Sequence, residues 1–401
     1  MKQVQLSLSA DDKYRQARIQ RSRHLDFIQE TGLSSNKGTP TCRQHAAGAV
    51  SIKKGLTKTG KFRAYYGNLI TCKSIWSCPV CAYGEALVRQ ERINNLLRDL
   101  PKTGAYLLFV TFTLQHNYKN SLDETLNLLN KSFKEFQQGS GYKSLQKQLE
   151  LEGSIRVLEI THSHINGWHP HLHCVFVVDK ETTPQFTKQS KELIFNRWES
   201  IVKRNGGFTN NLAIDVKRVY SDSPLSRYLS KLAQELTQGI NKKGRNGSRT
   251  PFAILADLFN YEYKRPPCSC TYYKENETLQ LKKKCDLCLW LEYETTMKGK
   301  KQIGFSGVRS LEKRCEQLEK ESTQDEIDNM LYTSIEKFAE LSNSTYNIIR
   351  YNKIANKILE IIETDGIPGF TKFMDTYQYE TIDENGEVKT FTGLSYNLLA
   401  K

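Results

Sequence analysis

Residues 154–178 read SIRVLEITHSHINGWHPHLHCVFVV, and this stretch decides the fold. Ser154 to Thr161 and His169 to Val178 are apolar runs rich in β-branched residues and short enough to read as strands. The polar stretch between them carries Asn166-Gly167 and predicts a hairpin connection. Alternation along the second strand puts His169, His171 and His173 on one face, with Pro170, Leu172 and Cys174 on the other. A hairpin centred near Ile165 sets Glu159 opposite His171. Glu159 lies in an otherwise apolar run, where an unpaired carboxylate is costly and a ligated one is not. Glu159, His171 and His173 form a two-histidine, one-carboxylate set suited to Mg²⁺ or Mn²⁺ acting as a Lewis acid on a phosphate. His169 is the alternative third ligand, and a zinc hydrolase would use the same residue types.

Working outward, Tyr106 to Leu114 reads as a strand. Leu122 to Phe136 reads as an amphipathic helix entered through Ser121, with Glu124 three residues on. Lys188 to Arg204 is a further helix and Asn211 to Tyr220 a further strand. Ser223 then caps a helix with Pro224 at its first position and Gly239 as its stop. Alternating strands and helices around a hairpin define an α+β domain over residues 100–235, its sheet at least partly antiparallel. Helical spacing sets Tyr228 between an apolar seam (Leu225, Leu232, Leu236) and a strip holding Lys231 and Glu235. A hydroxyl nucleophile beside a lysine, docked on a metal-bearing sheet, suits covalent phosphoryl transfer; a core-edge tyrosine would show the same pattern. Lys242, Lys243, Arg245, Ser248 and Arg249 follow in a glycine-containing run that reads as a phosphate-binding loop or as a solvated turn. Gly55 to Phe62 nearly fits a P-loop, but Phe62 stands where Ser or Thr must hold Mg²⁺. No helicase motor is visible.

Of 10 cysteines in 401 residues, eight fall into two groups. Cys42, Cys72, Cys78 and Cys81 form the first, with His45 competing for the place of Cys42. Cys268, Cys270, Cys285 and Cys288 form the second. Four thiolates suit a closed tetrahedral zinc site, so two structural Zn²⁺ are expected; a redox CxxC is the alternative for the first group. Cys174 reads as a small core hydrophobe. The chain carries +14 overall, yet residues 311–401 hold 10 basic and 17 acidic side chains, which leaves +21 on residues 1–310. A basic body points to a polyanion, nucleic acid before membrane. The absence of a long apolar run or an apolar leader predicts a soluble, cytoplasmic protein with no membrane partner.

The run Gly167 to His173 resembles the His-hydrophobic-His signature of the HUH endonucleases. More closely, the chain resembles the rolling-circle replication initiator (Rep) proteins of small bacterial plasmids. The likeness rests on the Cys72…Cys78-Pro79-Val80-Cys81 knuckle, Thr111-Phe112-Thr113-Leu114, Arg156-Val157-Leu158-Glu159, Tyr228-Leu229-Ser230-Lys231, Gly244 to Pro251 and Trp290 to Ser306, in that order. It covers residues 40–310. The resemblance implies a central five-stranded antiparallel sheet flanked by helices, with Tyr228 attacking DNA to leave a 5′-phosphotyrosine and a free 3′-OH. It also implies single-stranded or cruciform origin DNA as substrate, a host helicase and replication proteins as partners, and a possible homodimer. Some relatives place a Glu four residues before the tyrosine. Pro224 stands there, so Glu235 or a second protomer would serve termination. An HUH transposase or a phage initiator would use the same chemistry, and a non-catalytic zinc protein that binds nucleic acid is the rival of another class. The expected organisation is a basic arm (1–40), a zinc knuckle and helix (41–100), an HUH nicking domain (101–262), a second cysteine element (263–310) and an acidic, mainly helical C-terminal region (311–401).

Overall fold

In the computed structural model of the chain, the histidine run is the middle strand of a five-stranded sheet. Residues 10–219, 247–260, 268–275, 278–307, 320–382 and 384–399 are described. The helix expected from Ser223 to Gly239, with Tyr228, Lys231 and Glu235, lies outside the described residues, as do Lys242, Lys243 and Arg245. The sheet runs β6 (Ile214–Val219), β3 (Tyr106–Phe112), β5 (Gly167–Val178), β4 (Leu151–Ser163), β9 (Ile303–Ser306). Every neighbouring pair is antiparallel. The fold is α+β, as expected.

Alternation along β5 divides the core in two. Leu172, Cys174, Phe176 and Val178 point into one layer with α3 (Leu122–Phe136) and α5 (Pro184–Arg204). There the ring of Phe112 meets Phe133, Phe136 and Trp198 edge-on at 5.1–5.2 Å between centroids. Val175 and Val177 face the other side and pack with Phe109, Ile155 and Val157 against Ile93 and Leu96 of α2 (Pro79–Asp99). His171 and His173 continue that second face beyond the apolar patch.

Several helix ends obey capping chemistry. Ser121 and Glu124 form the reciprocal capping box at the start of α3. Thr183 caps α5, so Pro184 opens that helix at its first position, four residues before Lys188. The Cys78 sulfur caps α2 through the Cys81 N–H, and Pro79 begins it. One helix was not expected. α4 (Gly139–Leu149) opens on Gly-Ser-Gly, which disfavours helix, and is held by burying Tyr142, Leu145 and Leu149. The expected loose N-terminal arm is α1 (Ala10–Thr31): Ile28 is fully buried and Phe27 meets Phe259 edge-on.

The described residues divide into two compact units. One is drawn from residues 26–36 and 75–321, the other from residues 37–74 and 322–401 with the chain before Asp26. The second unit joins stretches that lie far apart in the sequence. β10 (Tyr332–Leu341) pairs antiparallel with β1 (Ala46–Thr57), which pairs with β2 (Phe62–Leu69), and the short β13 (Asn397–Leu398) completes the sheet. The C-terminal region is helical on either side of β10, through Gln324–Leu331, Asn343–Tyr351 and Ala355–Thr376. Residues 332–341 were expected to continue a helix. They form a strand because Phe338, Ala339 and Leu341 bury against Ile52, Ala64 and Phe370, and tertiary burial overrides a helical charge pattern. No helix among the described residues is long and apolar enough to cross a membrane.

The aromatic layer beneath the histidine strand should dominate stability. Phe112 is fully buried, and Phe112→Ala should cost about 3–5 kcal/mol, read as a shift in urea midpoint at unchanged slope. A cost below about 1 kcal/mol would mean that this layer repacks freely.

Candidate active site

Register brings the site together. Glu159 on β4 lies opposite His171 on β5, and Val157 lies opposite His173, as the hairpin reading required. Nε2 of His171 hydrogen-bonds Oε2 of Glu159, and Nε2 of His173 lies 2.8 Å from the same oxygen. The three donor groups are mutually within 4.8 Å. All three side chains are largely shielded. Burial alone raises the Glu159 pKa, but attraction and hydrogen bonding to His171, then His173, outweigh it and hold the carboxyl well below its usual range.

The far sides of the two imidazoles decide whether a cation fits. Nδ1 of His171 is 3.2 Å from the His169 carbonyl, which can only accept, so that nitrogen carries the proton. With Nε2 donating to Glu159 as well, the ring carries both protons and is the cation that holds the carboxyl ionised. A divalent cation among the three groups would take the place of the Nε2 proton, and the backbone carbonyl supplies the outer support typical of ligating histidines. Nδ1 of His173 has Thr111 Oγ1 at 3.2 Å, and its ring stacks on Phe109. The donor set therefore fits a metal. Glu159, not His169, completes it. The His169 ring lies 4.6 Å from that of His116, and burial depresses its pKa to about 3.

Both cysteine groups assemble. Cys42, Cys72, Cys78 and Cys81 bring their sulfurs within 4.8 Å of one another, and Cys42 rather than His45 is the fourth member. The Cys72 N–H points at the Cys42 sulfur (3.4 Å) and the Thr39 hydroxyl at the Cys72 sulfur (3.7 Å). In the second group, Cys268 and Cys288, and likewise Cys270 and Cys285, have sulfurs 3.6 Å apart. β7 (Thr271–Glu275) and β8 (Thr278–Lys283) form a hairpin between its two cysteine pairs. Burial raises the Cys285 pKa, but N–H groups of Cys288 and Ser269 outweigh it and bring the thiol down to about 7. Both are structural zinc sites of four thiolates. Cys174 is fully buried in the core.

Arg249, expected in the phosphate-binding loop, has carboxylate partners within the fold. Its guanidinium is clamped by Asp286 at 2.7 and 2.9 Å and by Asp257 at 2.6 Å. Its backbone exchanges hydrogen bonds with His162 of β4 at 2.8 and 2.9 Å. Arg249 thus fastens the chain to β4, with its charge already met by two carboxylates. Ser248 beside it is half-buried.

A second tie reaches the same hairpin. Trp168 Nε1–H donates to Glu292 Oε2 at 3.0 Å, and the same carboxylate takes Lys284 Nζ at 2.6 Å and, through Oε1, the Leu122 N–H at 2.9 Å. Asp286 and Glu292 both lie on the helix Asp286–Met297, which starts at Cys285. The second cysteine group and its helix therefore brace the strands bearing Glu159, His171 and His173. Sequence reasoning gave no role to Thr111, His116, Trp168, Asp286 or Glu292. Thr111 shows its role only through its register opposite His173; Asp286 lies 37 residues from Arg249 and Glu292 lies 124 from Trp168, and neither leaves a local signal.

A five-stranded antiparallel sheet with this donor set on its two central neighbours, together with cysteine-rich zinc clusters, is a Rep-like HUH-superfamily fold. Residues 65–357 match the replication protein family, and the chain belongs to it. Among curated proteins it is 22% identical over 293 residues to "Protein rep" of Streptomyces lividans, covering 59% of this chain and 62% of that protein. It is 25% identical over 174 residues to a "Neomycin resistance protein" of Streptomyces cyanogenus, covering 35% and 39%. The chain thus spans less than two thirds of either relative's length. No solved structure matches.

Metal analysis of protein purified without added zinc should return about two zinc ions per chain, and a value below about one would contradict the two thiolate sites. Arg249→Ala leaves Asp286 and Asp257 without their shared cation and should destabilise by about 2–4 kcal/mol. The thermal midpoint reads this loss, and an unchanged midpoint would mean that the clamp carries no net stability.

Proposed function

We propose that the chain initiates rolling-circle replication of a plasmid by nicking one strand at its origin, with Tyr228 as nucleophile. The observation that carries the reading is the convergence of Glu159, His171 and His173 on one point of the central strands. A bound Mg²⁺ or Mn²⁺ would supply Lewis acidity toward a non-bridging phosphate oxygen. Glu159 as a carboxylate, with Nε2 of His171 and of His173, would hold that cation. Tyr228 gives its phenolic proton to water and attacks phosphorus through the oxygen, the bond to the 3′-oxygen breaks, and the released 3′-oxygen takes a proton back from water. The products are a 5′-phosphotyrosine and a free 3′-OH for host polymerase.

A phenol with a pKa near its usual value of about 10 needs help to lose its proton. Lys231, three residues after Tyr228 in the sequence, stabilises the phenolate and the charge on the phosphate. Glu235 serves the later water or strand attack that ends the cycle, unless a second protomer does so. Lys242, Lys243, Arg245 and Ser248 hold the DNA backbone. The substrate is single-stranded or hairpin origin DNA, and a host helicase and replication proteins act downstream in the bacterial cytoplasm.

Incubation with labelled single-stranded origin candidates and Mn²⁺, scored as an SDS-resistant adduct, tests the reading. Tyr228→Phe should abolish adduct and nicking while origin binding stays within about threefold, because only the hydroxyl is lost. His171→Ala should also abolish nicking, together with weaker Mn²⁺ binding. Lys231→Ala should slow nicking about 100-fold without stopping it. An adduct formed by Tyr228→Phe would remove the nucleophile assignment and make Tyr220 the next residue to test. A wild-type protein that binds DNA without ever forming an adduct would favour a non-catalytic zinc protein.

A further inference from the structure

The run that imitates a P-loop, Gly55 to Phe62, is the tip of the β1–β2 hairpin. Between Gly32 and Gly84 the chain has eight Lys or Arg and no Asp or Glu. The root of the hairpin is committed to the core of its unit, with Ile52 and Ala64 fully buried. The tip is not. Lys58, Thr59, Gly60 and Lys61 are exposed and Phe62 keeps 48% of its surface in solvent. Lys54 Nζ sits 4.2 Å from the centre of the Phe62 ring, and the carboxylate opposite Lys54 in register belongs to the exposed Glu336.

The turn is tightly closed. Thr57 N–H donates to the Lys61 carbonyl (2.8 Å), Gly60 N–H to the Thr57 carbonyl (2.9 Å) and Lys61 N–H to the Thr57 hydroxyl (3.1 Å). Gly60 takes φ +78°, a conformation that a side chain would strain. The result is a stiff two-stranded ribbon that presents three lysines and an aromatic ring at little ordering cost.

We propose that this hairpin tip is a sequence-independent contact for duplex DNA, gripping its backbone phosphates. The inference rests on the nucleic-acid role supported by the family, but the tip itself precedes residue 65, where the family match begins. Duplex is favoured because a two-stranded ribbon has the width that the major groove admits. Lysines on flexible stems hold phosphates as point charges and read no bases. An anionic membrane would also attract the lysines, but a single exposed ring offers little area to bury in lipid.

The test compares full-length wild type with a variant carrying Lys54→Ala, Lys58→Ala and Lys61→Ala. Binding to a random 30-base-pair duplex and to a random single strand is followed by fluorescence anisotropy between 50 and 250 mM NaCl. On duplex, the variant should bind at least about tenfold more weakly at 150 mM, and its log–log salt slope should be shallower by about 2.7, the value for three phosphates. Single-strand affinity and adduct formation should stay within twofold. Phe62→Ala should weaken duplex binding severalfold with the slope unchanged. An unchanged duplex slope overturns the proposal, and so does an equal loss on single strands. Loss of binding to vesicles containing anionic lipid, with duplex binding intact, overturns it in favour of a membrane contact. If the triple variant melts below wild type, Lys58→Gln with Lys61→Gln, both at exposed positions, carries the same test with an expected slope change of about 1.8. Failure of wild type to form any adduct would sink the nicking reading and leave the duplex slope to decide this one.

Discussion

The hairpin of β4 and β5 holds Glu159 opposite His171, and a slip of one residue would turn one of them to the other face of the sheet. Period-two alternation ties the chemistry to the core. The register that gathers a carboxylate and two imidazoles also sends Leu172, Cys174 and Phe176 into the aromatic layer under α3 and α5. Burial of that layer therefore holds the donor set in place. A misregistered hairpin would expose the layer and bury the histidines, at a cost far beyond any single contact in the site.

Strand register sets the direction of each donor, but a hairpin tip is the part of a sheet most free to move. Here it is braced from behind. Glu292 collects the Trp168 indole, the Lys284 ammonium and the N–H of Leu122 at the start of α3. Asp286 holds Arg249, whose backbone extends the pairing of β4 at His162. Both carboxylates stand on a helix that begins at a cysteine of the second thiolate group. Zinc ligation there is folding free energy for that helix, and through it for the strands that carry the metal ligands.

The second unit shows a different economy. Its sheet joins β1 and β2 to β10, which lies nearly 300 residues later. The acidic end of the chain is thereby brought to the acid-free stretch. Lys53 pairs with Asp328, and Tyr65, stacked on Tyr332, donates to the same carboxylate. Opposite charge that looks segregated along the sequence is partly neutralised within one fold, and Lys58 and Lys61 at the hairpin tip are exposed.

Much of the site was legible in the sequence because its signals are local. The alternation of His169 to Val178, the Asn-Gly turn, the Ser121 capping box and the spacing of the cysteines each need only a few consecutive residues. From them follow the strands, the facing of Glu159 and His171, both thiolate groups and the α+β class. Tertiary structure alone decided which residues stand behind those groups. Whether Arg249 offers its charge to DNA or spends it on Asp257 and Asp286 depends on a helix nearly 40 residues further on. Residues 332–341 carry a charge pattern suited to a helix and become a strand because an open sheet edge at β1 was waiting for them. Local sequence sets which way a side chain points along its own element; only the fold sets what it meets there.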